Sequence, residues 1–458
     1  MYPSRYNLIL KSPEPGEYAL MNFLSGSFDL ATKDEVDQLS SLGDGNTGQV
    51  DASLVTYLEN RGYVYRDRMQ EDLLLAVKES EFQDSLRHSP TQVFLIPTYN
   101  CNLACRYCFQ QGIQEGHQVI SRAYLDAFFG HMQETFREEE IPPFITLFGG
   151  EPLINSPQQR EAIDYICRRS RELGYELAVV TNGYHLSDYV ETLAMARIKE
   201  VQVTVDGPQA VHDTRRPTRA GRGTYESIMR GIELSVQKGF PINFRVVVDK
   251  ENLPSLVPLA EELDHRGWLD LGAARFKTQL GRNYELFQCS ESPEDLFSQV
   301  ELWRSFVEVS RTNPVLKKFH QPEFKGIRHL ALTGELPDPS FDTCPAGKKE
   351  WVYDLNGHIF GCTASCGREG YQFGNFVPEL KYDRQVLQPW IDRNVNTIPE
   401  CRDCDVSLVC GGGCGVVANE RNGSVLSPDC RPIKELLSLG LEYYWEEIVK
   451  MADGRIPA

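Results

Sequence analysis

Tyr99-Asn100-Cys101-Asn102-Leu103-Ala104-Cys105-Arg106-Tyr107-Cys108-Phe109 follows the apolar run Val93-Phe94-Leu95-Ile96 and sets three cysteines in a C-x3-C-x2-C spacing. Three thiolates on one short loop can hold three irons of a four-iron cluster, which normally takes four cysteines. One iron is then left open to a further ligand, as a reactive cluster requires. A Cys3His zinc site and, in a secreted chain, a disulfide framework are the alternatives. Zinc motifs usually come as C-x2-C pairs, and this loop does not.

The chain has 458 residues, 41% hydrophobic and 24% charged, enough for two or three domains with large cores. Its formal net charge of -18 speaks against nucleic acid as the main partner, because phosphate binding depends on Lys and Arg. No apolar run approaches the ~18 residues of a membrane span, and Met1 to Asn7 lacks the hydrophobic stretch of a signal peptide. No membrane partner and a cytoplasmic location are therefore expected. In a reducing compartment, thirteen cysteines point to metal ligation over disulfides. Eleven of them fall in two dense groups, and Cys167 and Cys289 read as ordinary buried thiols.

Residues 1–75 read as a small α+β unit: strands at Tyr6 to Leu10, Tyr18 to Leu24 and Phe28 to Ala31, then two helices, then a strand at Tyr63 to Tyr65. Thr32-Lys33-Asp34-Glu35 is a capping-box pattern opening the first helix. A charged helix beginning near Glu71 links this unit, through residues 76–90, to the next domain. Over residues 91–310 strands alternate with helices, the pattern of parallel βα units. The strands are Val93 to Pro97, Phe144 to Phe148, Leu177 to Thr181, Glu200 to Val205, Ile242 to Val248 and Ala274 to Thr278; the helices include Tyr124 to Arg137, Gln158 to Leu173 and Tyr225 to Lys238. Six units suit an open, partial (β/α)6 barrel in an α/β fold, with ligand loops at the C-terminal strand ends. The cysteine loop falls at the first of these ends and Gly149-Gly150-Glu151-Pro152 at the second.

This combination resembles the radical S-adenosylmethionine (SAM) enzymes over roughly residues 91 to 280. The resemblance implies that Cys101, Cys105 and Cys108 hold a [4Fe-4S] cluster whose open iron takes the amino and carboxylate groups of SAM. It places Gly149, Gly150 and Glu151 at the methionine amino group, Tyr107 near the adenine, and Thr181, Asn182 and Asp206 among further SAM contacts, with Arg245 toward the carboxylate. Electron transfer from such a cluster cleaves SAM to a 5′-deoxyadenosyl radical that abstracts hydrogen from unactivated carbon. Val211 to Arg216 and Gly221 to Tyr225 resemble the loop after the fourth strand in enzymes acting on peptides. No catalytic residue is assigned from sequence.

The second cysteine group runs Cys344-x12-Gly357-x4-Cys362, then Cys401-x2-Cys404-x5-Cys410-x3-Cys414-x15-Cys430. It is similar to the SPASM extension, a cysteine-rich C-terminal domain expected here over residues 311–458. That resemblance implies two auxiliary [4Fe-4S] clusters, three in all. Cys344, Cys362 and Cys414 would hold the first, with Cys366 the local candidate for its fourth ligand; Cys401, Cys404, Cys410 and Cys430 would hold the second. The helical repeat from Pro432 to Met451 predicts a helix packed back on the barrel. Residues 1–75 resemble the winged-helix peptide-recognition element of peptide-modifying enzymes. Sulfatase-maturing members of the group usually carry Asp as a base directly after the cysteine of the G-x4-C segment, where this chain has Thr363. The expectation is a maturase that cross-links a ribosomally made precursor peptide, supplied with electrons by a donor such as flavodoxin or ferredoxin; a sulfatase (formylglycine-forming) maturase is the alternative.

Overall fold

The computed structural model describes residues 1–42, 51–110, 112–113, 118–282 and 293–453. The chain forms two compact units, and each is assembled from separate stretches of sequence. One takes Arg87–His320 and Pro345–Ile391; the other takes Met1–Leu86, Gln321–Cys344 and Asp392–Ala458. This division differs from the expected boundaries at 75, 90 and 310, because part of the cysteine-rich region joins the barrel sheet.

That sheet has ten strands. From one edge, Phe276–Arg282, Ile242–Val248, Arg197–Thr204, Glu176–Thr181, Phe144–Leu147 and Gln92–Ile96 lie side by side in parallel. Glu350–Asp354 then adds a seventh parallel strand, with Glu350 opposite Gln92 and Asp354 opposite Ile96. Antiparallel strands His358–Phe360, Gln372–Asn375 and Lys381–Tyr382 finish the sheet. The six expected strands are present, with ends shifted by a few residues.

Side chains alternate along these strands, as a pleated backbone requires. Val93, Leu95, Ile145, Leu147, Val201 and Val203 are fully buried. The intervening Gln92, Phe94, Phe144, Thr146, Glu200 and Gln202 line a cavity of about 390 Å³. The outer helices start where the sequence supplies caps: Ser121 accepts from Tyr124 N–H ahead of Arg122–Thr135, and Ser156 from Gln159 N–H ahead of Pro157–Glu172. Gly239, at φ +86°, ends Tyr225–Lys238. Cys167 is buried, as expected, whereas Cys289 lies outside the described residues.

In the other unit, Asn7–Lys11, Glu17–Asn22 and Ser27–Thr32 form an antiparallel meander. Helix Lys33–Ser41 opens with both halves of the Thr32/Glu35 capping box in place. Helix Ala52–Asn60 follows, and Val64–Tyr65 pairs with Tyr2–Pro3. The linking helix is longer than expected, Arg68–Arg87, and is tied down where buried Glu71 accepts from Ser4 Oγ at 2.7 Å. The C-terminal helix Ile433–Asp453, expected from sequence, packs on helix Ile327–Thr333 within its own unit. No helix among the described residues is long and apolar enough to cross a membrane.

Asp29 locks the meander to the helices behind it, accepting from Arg61 Nε at 2.8 Å, Tyr63 Oη at 2.7 Å and Tyr57 Oη at 2.5 Å. Tyr63 is fully buried and its hydroxyl has Leu20 O at 3.0 Å as its other acceptor, so removing Asp29 takes away the charged partner of Tyr63, Tyr57 and Arg61 at once. Asp29→Ala should weaken this unit by about 2 kcal/mol, or about thirtyfold in its local opening equilibrium. Hydrogen exchange across residues 17–32 and 51–65 reads that change.

Candidate functional site

Cys101, Cys105 and Cys108 line one cavity of about 210 Å³ at the C-terminal ends of the parallel strands, together with Tyr107, Gly149, Gly150, Thr181, Asn182 and Arg245. Residues expected on or after four of the parallel strands, the first, second, third and fifth in chain order, are thus brought to one wall. Phe148, Val180, Gln202, Arg245 and Thr363 belong both to this wall and to that of the barrel cavity. Arg216 and Arg282, which sequence reasoning left unassigned, line it as well.

The Gly-Gly pair is pressed against the cysteine loop. Gly150 N–H donates to Thr98 O at 3.1 Å and Glu151 N–H to Asn100 O at 2.8 Å. A Cβ on Gly150 would sit 2.2 Å from Tyr99 O, and one on Gly149, at φ +130°, would sit 2.3 Å from Thr98 O. Only glycine allows this approach.

Two of the residues expected at SAM, Glu151 and Asp206, do not line this cavity. Glu151 is buried behind the wall, and its carboxylate accepts from Thr181 Oγ1 at 2.6 Å, Asn182 N–H at 2.6 Å and Leu153 N–H at 2.8 Å. Burial pushes its pKa up to about 6 even though all three donors favour the charged form. Asp206 is also fully buried: it accepts from Tyr107 Oη, from Val247 N–H at 3.1 Å and from Arg215 Nε at 3.4 Å. Both carboxylates are spent on bracing the loops that carry the cavity residues.

Asn182 stands against the thiols, its Nδ2 3.7 Å from Cys101 Sγ and 2.8 Å from Asn102 Oδ1. Arg216 donates to Tyr107 Oη at 2.6 Å, and its charge opposes the burial that raises the Cys105 thiol. Burial likewise pushes Cys101 up to about 12, with the Glu151 charge adding to it. The Arg215-Arg216 pair in the loop after the fourth strand was the available sequence signal for these cations, but its role depends on where Tyr107 falls.

These residues fit the implied cofactor. None of the twelve described cysteines is in a disulfide. Among the described residues no three His, Cys, Asp or Glu side chains gather at the spacing of a single metal ion. Three thiols spread around a glycine-walled cavity, with Asn182 directed at one sulfur and cations opposite, suit a multi-iron cluster with an anionic co-ligand.

The second cysteine group is divided between the units. Cys362 and Cys366 lie in the barrel unit; Cys344, Cys401, Cys404, Cys410, Cys414 and Cys430 lie in the other. There burial raises the Cys401 thiol, and the charges of Cys410, Cys404 and Cys430 add to the rise. Thr343 N–H donates to Gly411 O at 3.0 Å, which brings Cys344 beside the Gly411-Gly412-Gly413 loop. All three of those glycines have left-handed backbone, which accounts for the triplet. Buried Arg393 holds the loop by donating to Gly412 O at 2.5 Å and Ser427 O at 2.7 Å. In the barrel unit Cys366 is buried, its Sγ 3.1 Å from Thr363 O and beside Tyr99, whose hydroxyl donates to Asp354 at 3.0 Å.

Residues 95–263 match the family model of the Radical SAM superfamily, which gives this part of the chain a radical SAM domain. In fold the chain is similar to SPASM-type enzymes. It is 31% identical over 182 residues to a protein of Methanopyrus kandleri named as a probable GTP 3′,8-cyclase; the match takes in 40% of this chain and spans 55% of that protein. A cysteine-type anaerobic sulfatase-maturating enzyme of Clostridium novyi is 23% identical over 335 residues, 69% of this chain and 85% of that protein. Among solved structures, anSMEcpe with bound AdoMet is similar in fold with a TM-score of 0.58 and 16% identity, covering 80% of this chain and 100% of that one. SuiB of Streptococcus suis bound to the precursor peptide SuiA is similar with a TM-score of 0.52 and 13% identity, covering 94% of this chain and 99% of that one.

His212 ties this site to pH. Its ring is fully buried; Nδ1 accepts from Asp206 N–H at 3.2 Å and Nε2 faces Thr224 Oγ1 at 3.0 Å. Burial, then the Arg216 charge, pushes its pKa down to about 4. A folded pKa below the unfolded one means stability that is complete above about pH 6.5 and is lost as pH falls toward 4, about 2 kcal/mol of it by pH 5. Buried His131, also at about 4, acts in the same direction. The thermal unfolding midpoint of the barrel unit should fall between pH 7.5 and pH 5, and His212→Asn should flatten that slope.

Proposed function

We propose that the chain is a peptide maturase that removes hydrogen from a residue of a ribosomally made precursor and leaves a thioether or carbon-carbon cross-link. Cys101, Cys105 and Cys108 would hold the SAM-binding cluster. When bound, SAM and its cluster supply the carbon radical that abstracts hydrogen. Gly149 and Gly150 keep that wall free of side chains, and Arg216, Arg245 and Arg282 supply positive charge for a carboxylate ligand. Phe94, Phe148, Gln202 and Thr363 surround the barrel cavity, where they would orient the acceptor segment and exclude water.

The observation that carries this reading is Thr363. It lines the same cavity as the three thiols, at the sequence position where the sulfatase-maturing group usually has its Asp base. The SuiB likeness adds support, since that protein was solved with a precursor peptide. Residues 1–75 would bind the precursor's leader, and a flavodoxin or ferredoxin would deliver the electron. Formylglycine formation on a sulfatase is the second reading, favoured by the curated maturases similar to this chain over 85% of their length. Co-expression with a candidate precursor, sought as a short open reading frame beside this gene, should yield a product lighter by two hydrogens on mass spectrometry. Unchanged peptide alongside a modified sulfatase would favour the second reading.

A further inference from the structure

Gln110 follows the third cysteine of the loop by two residues and is only 4% exposed. It lines the cavity that holds Cys101, Cys105 and Cys108, and its Nε2 meets no acceptor among the described residues. Almost every buried donor in a folded protein has a partner. A buried carboxamide N–H left unpaired is unfavourable until something brings an oxygen to it. Among the described residues that line this cavity, one other side chain holds such a donor: Arg216, at its Nε. Arg216 belongs with Tyr107, to which it donates at 2.6 Å.

The sheet places Gln110 away from the residues expected at SAM. Strand Gln92–Ile96, which leads into the cysteine loop, has Phe144–Leu147 on one side and Glu350–Asp354 on the other. Gly149 and Gly150 follow the first of these neighbours, and Thr181 and Asn182 stand at the end of the strand beyond it. Gln110 is held toward the opposite neighbour. Phe109 O accepts from Arg368 Nη2 at 2.8 Å, and Ile113 N–H donates to Gln110 O at 3.1 Å. A Cβ on Gly367 would come within 2.7 Å of Ile113 Cγ2. Gln110 therefore lies between two residues that are fastened to the segment after strand His358–Phe360. That segment brings Thr363 and Ala364 to the same cavity.

The charges of the wall narrow the class of ligand. Among the described residues the lining includes Arg216, Arg245 and Arg282 and no Asp or Glu. A carboxylate has those arginines to meet it, whereas a cationic side chain would find no counter-charge. A carboxamide carries donor and acceptor side by side, the complement of a peptide unit.

We propose that Gln110 positions the substrate by donating from its carboxamide to a main-chain carbonyl of the peptide segment that enters this cavity. The inference rests on the reading of the chain as a peptide maturase. A main-chain contact holds the segment without reading its side chains, which are left to Phe94, Phe144 and Phe148 of the barrel cavity.

The test uses the full chain, reconstituted with iron and sulfide, and the precursor found modified on co-expression. Gln110→Leu and Gln110→Met both remove the donor, the second at nearly the same side-chain length. In both, cross-linked product per 5′-deoxyadenosine released should fall about tenfold, as expected for one hydrogen bond lost in a poorly solvated place. The KM for SAM should stay within about twofold of the parent's, and iron content should not change. A product ratio that stays at the parent's value in both variants would overturn the proposal. So would a fall matched by an equal rise in the KM for SAM, which puts Gln110 at SAM instead, or a fall that only tracks lost iron in both. If the parent chain modifies no peptide, the maturase reading fails and the proposal with it; that outcome is told apart because it needs no substitution at Gln110.

Discussion

The cavity depends on one buried carboxylate. Glu151 accepts from Thr181 Oγ1, Asn182 N–H and Leu153 N–H, while its own N–H donates to Asn100 O. Four hydrogen bonds from one residue join the cysteine loop, the Gly-Gly turn and the loop after the third parallel strand. A carboxylate this deeply buried is unfavourable unless its lone pairs are filled. The bonds that fill them also fix Asn182 beside Cys101 and hold Gly150 against Tyr99 O. Asp206 repeats the device on the far side of the cavity, joining Tyr107, Arg215 and Val247.

Much of the barrel was legible in the sequence because its strands are short apolar runs bounded by glycine and charge. Residues such as Cys101 and Gly149 sit at strand ends, so their meeting follows from parallel topology. The hydrogen bonding of Glu151 and Asp206 was not legible, because donors such as Thr181, Tyr107 and Val247 lie thirty or more residues away. The seventh parallel strand, Glu350–Asp354, was hidden because Glu-Trp-Val-Tyr-Asp lies inside the cysteine-rich region, where ligand spacing dominated the reading. Its pairing with Gln92–Ile96 also explains why the units do not follow the expected boundaries.

Local charge is arranged against the average. A chain of formal net charge -18 concentrates Arg216, Arg245 and Arg282 around its first three thiols. Burial raises the Cys410 thiol of the second group, and the charges of Lys325 and Arg431 oppose that rise. Iron–thiolate bonding requires those protons to leave, and nearby cations make the resulting negative charge less unfavourable in a poorly solvated site.

The most direct measurement is the release of 5′-deoxyadenosine from SAM after reduction, in the unsubstituted chain and in one with Cys101, Cys105 and Cys108 replaced by alanine. The expected result is release from the first and none from the second, with auxiliary iron still bound. Release from the alanine variant would contradict the assignment of these three thiols.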